Sequence, residues 1–484
     1  MTFEARLLIG GADRDAIDGA TTTRTGPVSG RVETVSAAAT FADVNAAVEA
    51  AHQAFAAWSA TGPNHRRHIL LKAADLIEQR AAEFSAIVMA ETGATRMWGG
   101  FNAKLAAEIV REAAAMTTRL LGETIPADRP GTFAFTVRRP VGVMVGIAPW
   151  NAPVILGARA IAMPIACGNT VVMKASEACP ATHRLVVQCF VDAGVPAGVI
   201  NFITNAPADA PAIVEALVTH PLVKRINFTG STKVGKIIAG LAAGHLKPCL
   251  LELGGKAPFI VLDDADLDAA VAAAAFGAFM NQGQICMSTE RIIVHQNVAA
   301  AFYEKFTAKV AALKAGNPAD APQPMGGLVD LRTVGHVQAL VADAVGKGAT
   351  LLVAGAADGA VMQANVVADV TQDMRIWSEE SFGPIVCLIR ARDDDHAVAL
   401  ANDTAYGLSA AVYARDISRA MTVANAIDSG ICHINGPTVF DEAQMPFGGV
   451  KDTGYGRFGG TQGVDAFTEI KWMTINTLPI RFPI

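Results

Sequence analysis

Charged residues are scarce in this sequence. Asp, Glu, Lys and Arg supply 17% of its 484 residues, against about 25% in an ordinary soluble domain. The 39 basic and 45 acidic residues leave a net charge of −6 at pH 7. Spread along the chain, that charge gives nucleic acid no electrostatic foothold and excludes it as a partner. The seven cysteines (167, 179, 189, 249, 286, 387 and 432) form no CxxC pair. An odd, unpaired set in a long chain reads as reduced thiols rather than a disulfide framework. Long apolar runs are missing too. Residues 153–173 are interrupted by Arg159, Pro164 and Asn169, and residues 269–280 are too few to span a bilayer. Residues 1–15 carry Glu4 and Arg6 and no basic stretch followed by an apolar one, so the expectation is a cytoplasmic protein with no membrane partner. His65 and His68 have no acidic or Cys ligand nearby and there is no HExxH, so no metal is expected.

What the chain has is length and apolar content. At about 150 residues per domain it suggests roughly three domains or subdomains, and 51% of it is hydrophobic. The first part, to about residue 120, reads as mostly helical, with apolar residues three and four apart in 43–60 and 66–92. A turn-rich stretch at 122–131 precedes an alternating strand pattern at 132–139. Short runs then recur at 141–148, 170–174, 199–203, 225–228, 249–253, 258–262 and 291–295, with Ala-rich helical segments between them. Runs apolar on both faces are the mark of parallel strands buried in a doubly wound α/β sheet. The tail, 472–484, reads as an edge strand or extended arm.

Four stretches carry chemistry. Residues 225–237 form a strand, a Gly-containing turn and a helix start, a ready site for an anion. Residues 230–236 fit a P-loop until its last position, where Ile237 replaces the metal-binding hydroxyl. A dinucleotide pyrophosphate needs the anion site without that hydroxyl, although the GxGxxG fingerprint is absent; an ordinary strand–helix turn is the plainer alternative. Cys286 lies in the polar, Gly-containing Asn281-Gln-Gly-Gln-Ile-Cys286 that ends an Ala-rich helix. Glu252 closes an apolar strand before Gly254 and Gly255, and a buried carboxylate is costly unless partnered or used. Ala148-Pro-Trp-Asn151 fixes a turn directly after a strand and ends on an amide.

With these stretches in order, and 34 residues from Glu252 to Cys286, the chain resembles the NAD(P)-dependent aldehyde dehydrogenase superfamily over essentially its whole length. Further matching blocks are Lys174-Ala-Ser-Glu177, Phe228-Thr-Gly-Ser231, Glu379-Glu-Ser-Phe-Gly-Pro384 and residues 446–457. The resemblance implies that Cys286 attacks the aldehyde carbonyl to form a thiohemiacetal. Asn151 and the Cys286 backbone N–H form the oxyanion hole, and Glu252 activates the water that hydrolyses the resulting thioester. It places the cofactor on Ile147, Ala148, Pro149, Trp150, Lys174, Ser176, Glu177, Thr229, Gly230, Ser231, Gly235, Leu253, Glu380 and Phe382. Glu177 beside the adenosine ribose favours NAD⁺ over NADP⁺ by repelling a 2′-phosphate, although Lys174 would tolerate it. Residues 204–209 depart from the Gly-rich turn that many members carry near the adenine.

The resemblance is closest to the branch acting on aromatic aldehydes of the salicylaldehyde, benzaldehyde and vanillin type. Stretches 151–159, 284–291 and 435–445 carry it. A broad-specificity or aliphatic semialdehyde enzyme, or a non-catalytic member, is the alternative. By family position Trp98, Arg159, Ile285, Met287 and Phe440 face the substrate, with Arg159 meeting a ring hydroxyl or phenolate, or else serving in a structural ion pair. The implied fold is α/β. A Rossmann-like dinucleotide-binding domain spans 1–121 and 141–253, and an α/β catalytic domain spans 254–464. A β oligomerisation arm at 122–140 and 465–484 implies a homodimer or homotetramer.

Overall fold

The computed structural model describes residues 2–484. Two twisted sheets organise it. The first has eight strands, and five of them are parallel neighbours: Cys249–Glu252, Val223–Thr229, Val143–Ile147, Thr170–Lys174 and Ile200–Ile203. Their Val, Ile, Met and Phe side chains are buried on both faces between helices, as the continuous apolar runs require. Antiparallel strands finish the edges: Leu7–Ile9 lies beside Ile200–Ile203, and Gly454–Tyr455 beside Cys249–Glu252. The second sheet has seven strands and places Ala257–Val261 between the parallel strands Thr289–His295 and Ser409–Tyr413.

The opening of the chain differs from its helical reading. Residues up to 37 form five short strands, from Phe3–Ala5 to Val32–Ala37. Strands of three to six residues carry too few side chains to display a period of two. Helix then begins at Phe41–Ser59, where Thr40 and Asp43 cap each other reciprocally. The single helix expected over 66–92 is two, Pro63–Gln79 and Ala81–Thr92, broken at Arg80 where ψ rises to 15°. A further helix, Arg96–Met116, packs on Pro153–Ala166.

The tail strand begins earlier than its alternation suggested. Thr468–Asn476 pairs antiparallel with Thr132–Pro140 along its full nine residues, and Thr124–Ile125 adds a third strand. Ile470, Trp472, Met473 and Ile475 are exposed on it. Among the described residues no helix is long and apolar enough to cross a membrane.

Candidate active site

Each candidate catalytic residue stands at the end of a secondary-structure element. Asn151 follows Val143–Ile147 and precedes the helix Pro153–Ala166, which Pro153 opens at its first position. Its backbone carbonyl accepts hydrogen bonds from Trp98 Nε1 (2.8 Å) and Asn281 Nδ2 (3.0 Å), which fix the turn from two sides. Trp98, read as a substrate-facing ring, is thus also a positioning group.

Cys286 is half-buried after a tight turn, Met280–Gly283, in which Asn281 and Gln282 take left-handed φ values of 48° and 56°. Such strain persists only where the surroundings over-determine it. Here Gln282 donates to the Gly327 carbonyl (2.8 Å) and accepts from Gly326 N–H (3.0 Å), while Gln284 accepts from Val329 N–H (2.9 Å). Gly283 admits no side chain, since a Cβ would lie 2.3 Å from the Gly383 carbonyl oxygen. A Cβ on Gly255 would lie 2.1 Å from the Cys286 carbonyl oxygen, so this glycine lets the segment after the Glu252 strand pass close against the cysteine backbone.

Glu252 is 2% exposed, and neither carboxyl oxygen has a hydrogen-bond partner. Burial pushes its pKa up to about 8, against the pull of Arg159 and Arg457. The stretch 446–457 explains itself here. A Cβ on Gly448 would come 2.7 Å from Glu252 Oε1, and Thr453 accepts from Leu253 N–H and donates to the Gly254 carbonyl. Burial also raises the Cys286 pKa, and the nearby charges of Glu252 and Glu380 raise it further. The resting nucleophile is therefore a thiol that must lose its proton before it attacks.

Cys286 and Asn151 both line two cavities. One, of about 330 Å³, runs past Pro149, Trp150, Thr229, Ser231, Leu253, Glu380 and Phe382. It shares Pro149, Trp150, Thr229, Gly230 and Ser231 with a second cleft of about 550 Å³ that reaches Ile147, Ala148, Lys174, Ser176 and Glu177. The fit to a dinucleotide is physical. Ser231 caps the helix Thr232–Ala243 by accepting from Val234 N–H, and a Cβ on Gly230 would meet the Phe228 ring at 2.4 Å; the start of a helix keeps unpartnered N–H groups that suit a phosphate. Gly235 packs against Leu253, where a Cβ would approach to 2.4 Å, and so lets the helix sit close on its strand. Glu177 pairs with Lys174 and accepts from Asn205 Nδ2 (2.9 Å), so the departing 204–209 turn supplies a ligand to this carboxylate. Burial alone would raise the Glu177 pKa, but Lys174 holds it below the ordinary value. Glu380 accepts from Gly255 N–H (2.8 Å), and burial lifts its pKa to about 7. Phe382 takes φ 44° and meets Trp150 edge-on, with centroids 5.6 Å apart.

The other cavity, about 360 Å³, is apolar and holds all five expected substrate residues: Trp98, Arg159, Ile285, Met287 and Phe440. Phe101, Phe276, Met97 and Phe447 share the wall. They lie outside the stretches read for substrate, and apolar residues scattered over two helices and a loop give no sequence signal that they converge. Arg159 is in an ion pair. Its Nη2 lies 2.6 Å from Asp441 Oδ2, both side chains are buried, and its guanidinium sits 4.3 Å from the Phe447 ring centroid. That engagement displays the structural ion pair, the second of the two readings of Arg159. Arg159→Ala strands a buried carboxylate, so it is expected to cost about 3–5 kcal/mol, read as a lower urea midpoint; an unchanged midpoint would contradict the pairing.

Sequence reasoning also missed Glu290. It holds Lys256 Nζ at 2.7 Å and accepts from Ser381 N–H (2.8 Å) and Oγ (2.6 Å). This buried network ties the loop bearing Glu380 and Phe382 to the strand that follows Cys286.

Comparison with known proteins agrees with this geometry. The aldehyde dehydrogenase family model matches residues 16–473. The chain belongs to the aldehyde dehydrogenase family, whose members use NAD(P). It is 57% identical to a vanillin dehydrogenase of Pseudomonas sp. (strain HR199 / DSM 7063) over 100% of both chains. It is 50% identical to a salicylaldehyde dehydrogenase of Pseudomonas sp. (strain C18), over 99% of this chain and 100% of that one. A solved salicylaldehyde dehydrogenase from Pseudomonas putida G7, complexed with salicylaldehyde, superposes with a TM-score of 0.98 at 48% identity over 100% of both chains.

Proposed function

We propose that this aldehyde dehydrogenase oxidises aromatic aldehydes to carboxylic acids with NAD⁺, using Cys286 as nucleophile. The observation that carries the proposal is the position of Cys286 at the junction of an apolar slot and a dinucleotide-sized cleft. Aromatic rings and thioethers on the slot wall suit a planar ring. Relatives named for vanillin and salicylaldehyde support the same substrate class.

The Cys286 thiol gives up its proton to water in the cleft and the sulfur attacks the carbonyl carbon. The Asn151 amide and the Cys286 backbone N–H donate to the oxyanion that forms. Loss of one such donor typically costs about 10²–10³ in rate. NAD⁺, when bound, supplies the acceptor for the hydride that leaves the tetrahedral carbon. A thioester remains on Cys286. Glu252 then takes a proton from water, whose oxygen attacks the acyl carbon; the C–S bond breaks to release the acid, and the proton on Glu252 passes to the departing Cys286 sulfur. Pyrophosphate contacts fall to Gly230 and Ser231, with Thr229 and Leu253 beside them and Gly235 behind. Lys174, Ser176 and Glu177 hold the adenosine ribose, with Ile147, Ala148 and Pro149 along the cleft. Glu380 holds the nicotinamide ribose, and Trp150 and Phe382 bound the ring.

Glu177 stays ionised beside Lys174, whose charge it offsets, so the pair leaves no free cation to hold a 2′-phosphate. The test is a kcat/KM series of aromatic and aliphatic aldehydes with both nucleotides. Aromatic aldehydes with NAD⁺ are expected to exceed the other combinations by about tenfold or more, and Glu177→Gln to narrow the nucleotide ratio. Equal kcat/KM for NAD⁺ and NADP⁺ would refute the role of Glu177, and a preference for aliphatic aldehydes would refute the substrate class.

Residues 1–121 with 141–253 are assigned to dinucleotide binding, 254–464 to catalysis, and 122–140 with 465–484 to an arm between subunits. An exposed apolar edge such as Ile470–Ile475 is an aggregation hazard unless paired, which supports a homodimer or homotetramer.

A further inference from the structure

The wall of the apolar slot carries one anomaly. Asp441 has its side chain 8% exposed and binds Arg159 through Oδ2 at 2.6 Å, yet Oδ1 has no hydrogen-bond partner. Asp441 lies on the same cavity wall as Cys286, Met287 and Phe440. A buried acceptor left unpaired is costly, and the apolar residues around it offer no donor. Resting on the reading of this slot as the aromatic aldehyde site, we propose that Asp441 is a specificity-determining residue whose Oδ1 accepts a hydrogen bond from a hydroxyl on the substrate ring.

The chemistry selects among ring substituents. A phenolic O–H donates to the carboxylate. A methoxy group has no proton to donate, and an unsubstituted ring leaves the oxygen bare. A phenolate meets no free positive charge, because Arg159 is neutralised by Asp441 and seated on Phe447. The discriminating group is thus the anion of the pair rather than the cation. In Asp441→Asn the amide oxygen stays with Arg159, which needs an acceptor, so the NH₂ takes the place of Oδ1; the acceptor becomes a donor.

The experiment measures kcat/KM with NAD⁺ for benzaldehyde, the ortho-, meta- and para-hydroxybenzaldehydes and their methoxy counterparts, in the parent enzyme and in Asp441→Asn. At least one hydroxy isomer is expected to exceed its methoxy counterpart by about tenfold or more in the parent, since a site built to bond a hydroxyl rejects the analogue lacking it. In Asp441→Asn that ratio is expected to fall to within about threefold. Benzaldehyde oxidation without any hydroxyl preference in the parent overturns the role of Asp441 alone, and this arm decides the matter even where the variant does not fold. A folded Asp441→Asn that keeps the ratio overturns it as well. Failure of the parent to oxidise any of these aldehydes overturns the substrate reading and this inference with it.

Discussion

Cys286→Ala is expected to lower kcat/KM for the preferred aldehyde by about 10⁴-fold or more, because it removes the atom on which every bond change occurs. Its cost to the fold should be small. Cys286 is half-buried and forms no disulfide, and the turn before it is held by Gln282, Gln284 and Gly283. The other six cysteines provide the contrast. Cys167, Cys179, Cys189 and Cys387 are buried, while Cys249 and Cys432 are half-buried, and burial pushes all six thiols above their ordinary pKa. None of them lines the slot or the cleft beside Cys286. Alanine at any of these positions is therefore expected to leave kcat/KM within a fewfold. A loss of activity confined to one of the six, with Cys286→Ala active, would contradict the assignment.

Glu252→Gln should act on a different step. The amide fills the same space but accepts no proton, so turnover falls by about 10²–10⁴, the usual contribution of a positioned base, and acyl-enzyme accumulates. The pH dependence follows from the burial of this carboxyl. Its pKa is raised to about 8, so the carboxylate is the minor form below that pH and the major form above it. Hydrolysis-limited kcat in the parent should therefore rise with pH through about 8. Glu252→Gln should lose that limb. A variant with the parent's pH profile would assign the base to another group.

The site was more legible in the sequence than the fold around it. Glu252, Cys286 and Asn151 announce themselves because each breaks a local rule. One is a carboxylate closing an apolar strand, one a thiol in a polar turn, and one an amide after Pro149 and Trp150. Paired glycines mark close approach, and the structure supplies the atoms they approach: the Cys286 carbonyl for Gly255 and Glu252 itself for Gly448. Parallel strands were legible for the same reason, since burial on both faces leaves an unbroken apolar run. The five strands up to Ala37 were not, because strands of three to six residues show no period. The helix break at Arg80 carries no Pro or Gly signal. Asp441 was hidden because an isolated Asp between Phe440 and Glu442 reads as surface. Only the fold brings Arg159 to it across 282 positions.

The central claim is that the acyl group passes through the sulfur of residue 286. The direct measurement is an acid quench of Glu252→Gln mixed with an aromatic aldehyde and NAD⁺, followed by intact-mass and peptide analysis. The expected result is one adduct per chain on the peptide bearing Cys286, with the mass of the aldehyde less two hydrogens. Acid formed by the parent enzyme with no adduct in the variant, or an adduct on a different cysteine, would contradict it.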